Sequence, residues 1–308
     1  MGKLGSNPEA RTRTASTRLY QRVVKFGGSV EFVLQGLLHP PWRDLYHLLL
    51  KMSWGGFISL IVVAYLMGNT LFALAYLAGG DCIANAQPGS FPDAFFFSVQ
   101  TMATIGYGAM YPKTSYANIL VAIEALVGLL GVALATGLMF ARFSRPTARV
   151  LFSQVAIVTP LNRIPTLMFR AANQRGNQIL EARLWVTLIR EETLPEGYTM
   201  RRIYDLNLTR NHTPFFALSW SAMHPIDPAS PLYGETPASL AESHAEILVT
   251  LVGTDETVSQ SIHARHSYPV HSILWNYRFV DIFHRAPDGR QSINYALFHD
   301  VVPLDEEL

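Results

Sequence analysis

Residues 90–108 read SFPDAFFFSVQTMATIGYG, and this stretch decides how the rest of the chain is interpreted. Ser90 and Pro92 are residues favoured at the start of a helix, and Asp93 suits the positive N-terminal end of one. We therefore predict a short helix over 92–103, followed by a non-helical segment over 104–108. A helix of this length cannot cross a bilayer, which takes about 20 residues, so the stretch is expected to be re-entrant.

Two uncharged runs flank this stretch. No Asp, Glu, Lys or Arg occurs between Lys51 and Asp81, or between Glu124 and Arg142. Charged residues make up only 15% of the 308 residues, against about 25% in ordinary globular chains. The runs predict an outer membrane helix over 55–79 and an inner one over 115–142. The alternative is a pair of buried helices in a large soluble protein.

The basic residues predict the orientation of these helices. The stretch that connects them carries only Lys113, whereas basic residues precede the first helix and follow the second: Arg22, Lys25, Arg43, Lys51, Arg142, Arg145 and Arg149. Cytoplasmic segments are enriched in Lys and Arg. We therefore expect a multi-pass protein of the cell (inner) membrane with both termini in the cytoplasm.

A further helix is predicted at 42–51, immediately before the first membrane helix. Leu45, Leu48 and Leu49 fall on one helical face, with Trp42 and Tyr46 beside them. This pattern is typical of an amphipathic helix that lies in the membrane interface. The alternative is that it extends the first membrane helix.

The rest of the chain has a different character. Between Ile179 and Ile189 the apolar residues alternate, which predicts a half-exposed strand with these residues on one face: Leu180, Ala182, Leu184, Val186 and Leu188. Pro287–Gly289 resembles a hairpin turn. We expect an N-terminal cytoplasmic segment over 1–41, a membrane domain over 42–146 and a cytoplasmic β-sandwich over 147–308.

Several functional classes are disfavoured by composition. A net charge of +1 argues against a basic nucleic-acid binder. The single Cys82 excludes an intrachain disulfide and a multi-cysteine zinc site. The histidines lack metalloprotease spacing, and there is no nucleotide-binding loop or convincing nucleophile motif. We therefore expect neither an enzyme nor an organic cofactor.

Thr104-Ile105-Gly106-Tyr107-Gly108 carries the chemistry. A dehydrating K⁺ needs oxygen ligands in place of its water shell, and stacked main-chain carbonyls supply them when they all point one way. Glycine reaches the positive φ that this requires, and here it occurs at alternate positions. The Thr104 hydroxyl adds an inner ligand, while Ile105 and Tyr107 point away from the axis. Filters with Val at the position of Ile105 are the known example of this arrangement.

The chain resembles inward-rectifier potassium channels, and the prokaryotic (KirBac-type) members most closely. Beyond the filter, the similarity includes four stretches: Ala141–Pro146, Leu167–Asn173, Ser230–Gly234 and Ile273–Arg278. The resemblance implies a homotetramer with K⁺ as the permeant ion and an immunoglobulin-like cytoplasmic domain that extends the pore. The alternative is a membrane-anchored sensor or binding protein whose β domain is the functional part.

The resemblance also suggests roles for residues of the inner helix. Phe140 matches a gate where the helices cross, with lipid-facing packing as the alternative. Gly128 matches a hinge, or equally a helix-packing glycine. Val132 stands where strong rectifiers carry an acid, which implies weak rectification. Glu124 is interpreted as a group that supports the filter. Gln100 replaces a glutamate common behind the filter, which puts the usual ion pair there in doubt.

Two clusters of charge complete the candidate sites. Asp255 and Glu256 resemble the narrow loop above the cytoplasmic pore, where acids concentrate cations, with a solvated turn as the alternative. Basic residues near the cytoplasmic leaflet are expected to bind anionic phospholipids, including phosphoinositides: Lys51, Arg142, Arg145 and Arg149. Ordinary anchoring of the helix ends explains part of this basic cluster.

Overall fold

The computed structural model describes residues 22–26, 30–34, 44–285 and 291–304. The chain divides into two units, residues 38–145 and a unit that contains residues 146–308. Strands β1 (Arg22–Phe26) and β2 (Val30–Leu34) pair as an antiparallel hairpin. The predictions for Trp42 and for the turn Pro287–Gly289 lie outside the described residues.

The first unit is built from helices. Their bounds are α1 (Leu45–Lys51), α2 (Trp54–Ala78), α3 (Phe91–Met102) and α4 (Ser115–Phe143). The short strands β3 (Ile83–Ala84) and β4 (Tyr111–Pro112) pair and tie together the two loops on either side of α3. A hydroxyl side chain caps each of the three longer helices at its N-terminus, at Ser53, Ser90 and Thr114.

Helix α1 is separate from α2. The backbone leaves helical geometry at Met52 and Ser53, where ψ is 150° and 157°. Leu45 and Leu48 are exposed on α1, while Leu50 is buried. The interruption disfavours the alternative in which this segment simply extends the first membrane helix.

Helices α2 and α4 have the length and polarity of membrane spans. They contain 25 and 29 residues, with mean hydropathies of 2.1 and 2.4 over their most apolar windows. Most of their apolar side chains are exposed within the single chain, which distinguishes them from core helices of a soluble protein. The prediction of two membrane helices is confirmed.

The second unit consists of strands with one short helix. In chain order these are β5 (Val150–Phe152), β6 (Ala156–Leu161), β7 (Ile164–Asn173), β8 (Ile179–Thr193), β9 (Thr199–Asp205), β10 (His212–Phe216), β11 (Ser219–Pro225), α5 (Pro237–Glu242), β12 (Glu246–Asp255), β13 (Gln260–Pro269), β14 (Ile273–Trp275), β15 (Tyr277–Phe279), β16 (Phe283–Arg285), β17 (Gln291–Ile293) and β18 (Val301–Pro303). The prediction of an all-β domain after the membrane helices is confirmed.

Two five-stranded sheets enclose the core of this unit. One has the order β10-β8-β12-β13, with β9 also paired to β8. The other has the order β11-β7-β6-β14, with β5 also paired to β7. Leu184, Leu188 and Leu251 of the first sheet join Leu167 and Phe169 of the second in one buried cluster. Burial of this shared apolar surface holds the sandwich together.

The predicted inward face of β8 is wrong at Leu180, which is exposed, while Ile179 is buried in its place. Glu181 has a φ of +50°, and the pairing with β12 shifts register opposite it, beside Gly253. This β-bulge reverses the alternation for the first residues of the strand. A Cβ on Gly253 would lie 2.5 Å from the Ile179 Cγ2 atom, so the bulge needs glycine there.

His224 on β11 is buried in a neutral hydrogen-bonding environment. Its Nδ1 atom lies 2.7 Å from the Asn207 carbonyl oxygen, and its Nε2 atom lies 2.7 Å from the Ser230 Oγ atom. Because a carbonyl only accepts, Nδ1 donates and Nε2 accepts from the Ser230 hydroxyl. Burial lowers the pKa of His224 below its ordinary value.

We predict that mild acid destabilises the second unit through this residue. The unfolded chain takes up a proton near a pH of about 6.5, whereas folded His224 resists it, so stability falls as pH drops through that range. The maximal slope is about 1.4 kcal/mol per pH unit. Thermal unfolding between about pH 7.5 and about pH 5.5 measures it, and His224→Gln should reduce the slope.

His263→Gln is the matched control, since the His263 side chain is exposed. His266 is also half-buried with a pKa lowered by burial, so some dependence on pH should remain in the His224 variant. An unchanged slope in His224→Gln would contradict the assignment.

Candidate functional site

Helix α3 immediately precedes the segment Thr104–Gly108. The Ser90 hydroxyl accepts a hydrogen bond from the Asp93 N–H and begins the helix. At the other end, the N–H groups of Ile105 and Gly106 donate to the Gln100 carbonyl oxygen, at 2.8 and 3.3 Å. The segment therefore folds back against the last turn of α3.

The backbone of this segment alternates in handedness. Gly106 and Gly108 have φ values of +56° and +78°, and Thr104 has +55°. Ile105 and Tyr107 between them are not left-handed. Ordinary extended backbone directs successive carbonyls to opposite sides, and left-handed residues at alternate positions can reverse this. The sequence indicated positive φ at the two glycines but not at Thr104, a residue type that rarely adopts it.

The side chains of the segment are exposed within one chain. Ile105 is 46% exposed and Tyr107 is 75% exposed. The exposed surface of Ile105 and Tyr107 is therefore available for packing against another molecule.

Glu124 on α4 joins three helices of the first unit. The side chain is fully buried, and its Oε2 atom accepts a hydrogen bond from the Tyr76 hydroxyl at 2.6 Å. Its Oε1 atom makes a short contact with the Ser98 hydroxyl on α3. Because Tyr76 is on α2 and Glu124 on α4, the contacts connect all three elements, in agreement with the supporting role expected for Glu124.

Asn69 extends this network and was missed by the sequence analysis. It is fully buried on α2, and its Nδ2 atom donates to the Tyr65 carbonyl oxygen at 2.8 Å and to Met102 Sδ at 3.5 Å. Its Oδ1 atom lies 3.0 Å from the Ser98 Oγ atom. The available signal was an amide side chain inside an uncharged membrane run, where polar groups are expensive unless paired.

Gly128 on α4 packs closely against the end of α3. A Cβ atom built there would lie 2.5 Å from the Met102 carbonyl oxygen. Such a distance is sterically forbidden, so this position requires glycine for packing against the end of α3. Of the two interpretations of Gly128, packing therefore has direct geometric support.

Val132 and Phe140 lie on a face of α4 that the other helices leave uncovered. Val132 is 64% exposed and Phe140 is 72% exposed in the single chain. Gly131 and Gly137 on the same helix have open space around them. This face is free to contact another copy of the chain, a cavity or lipid.

The basic residues divide into two groups. Arg142 donates to the carbonyl oxygens of Leu49 and Met52, at 2.5 and 2.6 Å, and its guanidinium lies 4.7 Å from the ring centroids of both Trp54 and Phe57. It therefore satisfies the free carbonyls at the end of α1. These contacts occupy the Nη1 and Nη2 atoms of Arg142, and the binding of lipid headgroups by Arg142 stays a prediction.

The other basic residues remain available. Lys51, Arg145 and Arg149 are exposed, and Arg145 uses one nitrogen on the Leu50 carbonyl oxygen at 3.3 Å. Their charged groups are therefore available to bind a polar ligand.

Asp255 and Glu256, at the end of β12, differ in environment. The Asp255 side chain is only 2% exposed and accepts from Asn177 Nδ2 at 2.8 Å and Arg175 Nη1 at 2.9 Å. Burial opposes its ionisation, yet hydrogen bonds from Asn177, the Thr257 N–H and Arg175 hold its pKa below the ordinary value. Asp255 thus fixes the hairpin and does not present a free charge to a pore. Glu256 is exposed.

Comparisons with known proteins agree with this geometry. The family model described as the inward rectifier potassium channel C-terminal domain matches residues 150–307, and the model described as an ion channel matches residues 58–145. The chain is 51% identical over 281 residues to the inward rectifier potassium channel Kirbac3.1 of Paramagnetospirillum magnetotacticum, which covers 91% of this chain and 95% of that one.

Similarity extends to animal channels. The chain is 29% identical to G protein-activated inward rectifier potassium channel 1 of Bos taurus, covering 83% of this chain and 55% of that one. It is 28% identical to G protein-activated inward rectifier potassium channel 2 of Rattus norvegicus, covering 95% and 74%.

The packing of Gly128 leads to a prediction. Gly128→Ala should force α4 away from Met102 at a cost of about 1–3 kcal/mol, as overpacking does. We expect a lower thermal unfolding temperature and a several-fold lower rubidium flux in liposomes.

Gly131→Ala is the matched control, because a Cβ there meets nothing within 4 Å in the single chain. Equal behaviour of the two variants would contradict the packing assignment.

Proposed function

This chain belongs to the inward-rectifier potassium channel family, and from that membership we propose that it forms a homotetramer in which Thr104–Gly108 is the potassium-selectivity filter. Its relatives are ion channels, not enzymes, and the permeant ion that their names specify is potassium. The observation that carries the proposal is the alternation of positive φ at Thr104, Gly106 and Gly108.

Conduction follows from the chemistry of this backbone. Carbonyl oxygens from the subunits replace the water shell of K⁺, so the ion enters without a large dehydration penalty. Helix α3 ends beside Thr104, and the partial negative charge at a helix C-terminus favours a cation there. The contacts of Glu124 with Ser98 and Tyr76 support α3 from behind, and Gln100 contributes its carbonyl oxygen to the base of the filter segment.

The membrane orientation of the channel is inferred from its basic residues. Basic residues lie at the end of α1 (Lys51) and at or just after the end of α4 (Arg142 and Arg145). Their positions favour cytoplasmic termini for a protein of the cell (inner) membrane. The β-sandwich then lies on the cytoplasmic side, where Glu256 is the acid available to concentrate cations.

The inner helix supplies the gate in this proposal. The exposed ring of Phe140 near the end of α4 closes the path by excluding water when the subunits bring these rings together. Val132 places no charge in the cavity, so strong rectification from that position is not expected.

Anionic lipids regulate the gate through the exposed basic residues. Each basic residue near an anionic surface contributes about 1 kcal/mol to binding. Lys51, Arg145 and Arg149 are the exposed residues for this role, whereas the Nη1 and Nη2 atoms of Arg142 donate to carbonyl oxygens.

Flux in liposomes tests the proposed function. Purified protein should form tetramers and pass rubidium and potassium, but not sodium, in a manner that Ba²⁺ blocks. Gly106→Ala should abolish this flux because φ is +56° there, a conformation strained for alanine. A membrane-anchored sensor would instead show no cation flux and no fourfold assembly.

Removal of the proposed gate should raise flux. Phe140→Ala should increase basal rubidium flux, since the smaller side chain leaves the pore wide enough to hold water. Ile119→Ala, a similarly exposed apolar residue near the other end of α4, is the control. Unchanged or lower flux through normal tetramers of Phe140→Ala would count against the gate.

Lipid regulation is tested by charge removal. The flux through the wild-type protein should change when anionic lipid is added to liposomes of neutral lipid. The double variant Arg145→Gln, Arg149→Gln should lose most of this change. Arg163→Gln, an exposed arginine of the turn between β6 and β7, should retain it. Retained lipid sensitivity in the double variant would reject the role of these residues.

A further inference from the structure

A chain of oxygen contacts runs through the membrane unit behind the filter segment. Asn69 Oδ1 lies 3.0 Å from Ser98 Oγ, Ser98 Oγ is in short contact with Glu124 Oε1, and Glu124 Oε2 lies 2.6 Å from the Tyr76 hydroxyl oxygen. All four side chains are essentially inaccessible to water. Each of these three contacts needs one proton between its two oxygens.

The neighbouring groups supply only two of these protons. Ser98 and Tyr76 each carry one hydroxyl hydrogen, and the Asn69 carbonyl oxygen carries none. Rotating the Asn69 amide does not help, because its Nδ2 atom lies 2.8 Å from the Tyr65 carbonyl oxygen and must donate there. An oxygen in that position would face another oxygen with no proton between them.

We propose that Glu124 is a protonated, neutral acid that acts as a hydrogen-bond donor. Its proton lies on Oε1 and is donated to Ser98 Oγ, the Ser98 hydroxyl donates to Asn69 Oδ1, and Tyr76 donates to Oε2. The hydrogen bonds then run in one direction, from Tyr76 through Glu124 and Ser98 to Asn69. Glu124 is thereby a positioning residue for α3 that places no negative charge behind the filter.

The surroundings of Glu124 agree with a neutral group. Tyr76 and Asn69 face it or its partner from α2, and Ser98 faces it from α3; none of these is a cation. Within the described part of the chain, no ion pair joins Glu124 to Lys, Arg or His, and the nearest ion pair along the chain is Lys113 with Asp81, both about half exposed. A buried carboxylate without a cation is strongly unfavourable.

Infrared spectroscopy of the full-length protein in liposomes at neutral pH reads this proton directly. The wild-type minus Glu124→Gln difference spectrum should contain the C=O stretch of a protonated carboxylic acid, shifted in D₂O. Ser98→Ala removes the acceptor of the proton, so the same band should move to higher frequency. The control Glu256→Gln, at an exposed carboxylate, should show only the loss of ionised carboxylate bands.

A difference spectrum for Glu124→Gln that contains only ionised carboxylate bands would overturn the inference. Should that variant fail to fold, an acid band in the wild-type minus Ser98→Ala difference, with opposite lobes from the shift, decides in favour, and its absence decides against. The inference rests on the proposed supporting role of Glu124, yet the spectrum reports the proton whether or not the protein conducts. Absent flux with a present acid band would reject the function alone.

Discussion

A membrane interior offers no water to a polar group, and this constraint shapes the whole first unit. The segment Thr104–Gly108, which we propose as the filter, is non-helical, and such backbone is tolerated at membrane depth only beside protein or a water-filled cavity. Several polar groups of the same unit are satisfied internally. Tyr76, Ser98 and Asn69 use one another and Glu124, and the last turn of α3 accepts from the filter backbone through the Gln100 carbonyl. These contacts hold α2, α3 and α4 together without drawing on water.

The β-sandwich follows a different physical rule. Its two sheets are stabilised mainly by shared apolar burial, and its buried polar groups include His224, which is paired with Ser230. Buried charge is admitted where several donors converge, as at Asp255. The interior of the second unit therefore combines a large apolar core with several separate polar contacts.

Local chemistry explains what the sequence could predict. Ser90 begins a helix, glycine at 106 and 108 admits positive φ, and long uncharged runs form membrane helices, because each rule needs only neighbouring residues. Long-range partners explain what it could not. The bulge at Glu181 that exposes Leu180, the carbonyls that occupy Arg142 and the partners that bury Asp255 all come from distant parts of the chain. Asn69 stands out in the sequence as an amide side chain inside an uncharged run, but its partner Ser98 lies 29 residues away.

The attachment of Arg142 to α1 has a mechanical consequence. Arg142, in the last turn of α4, donates hydrogen bonds to the carbonyl oxygens of Leu49 and Met52 at the end of α1. Its guanidinium also packs against two aromatic rings at the start of α2. A sideways movement of the C-terminal end of α4 must either break these hydrogen bonds or move α1 with it. Movement at one end of this connection is thereby transmitted to the other, which couples the position of α1 to that of the C-terminal end of α4.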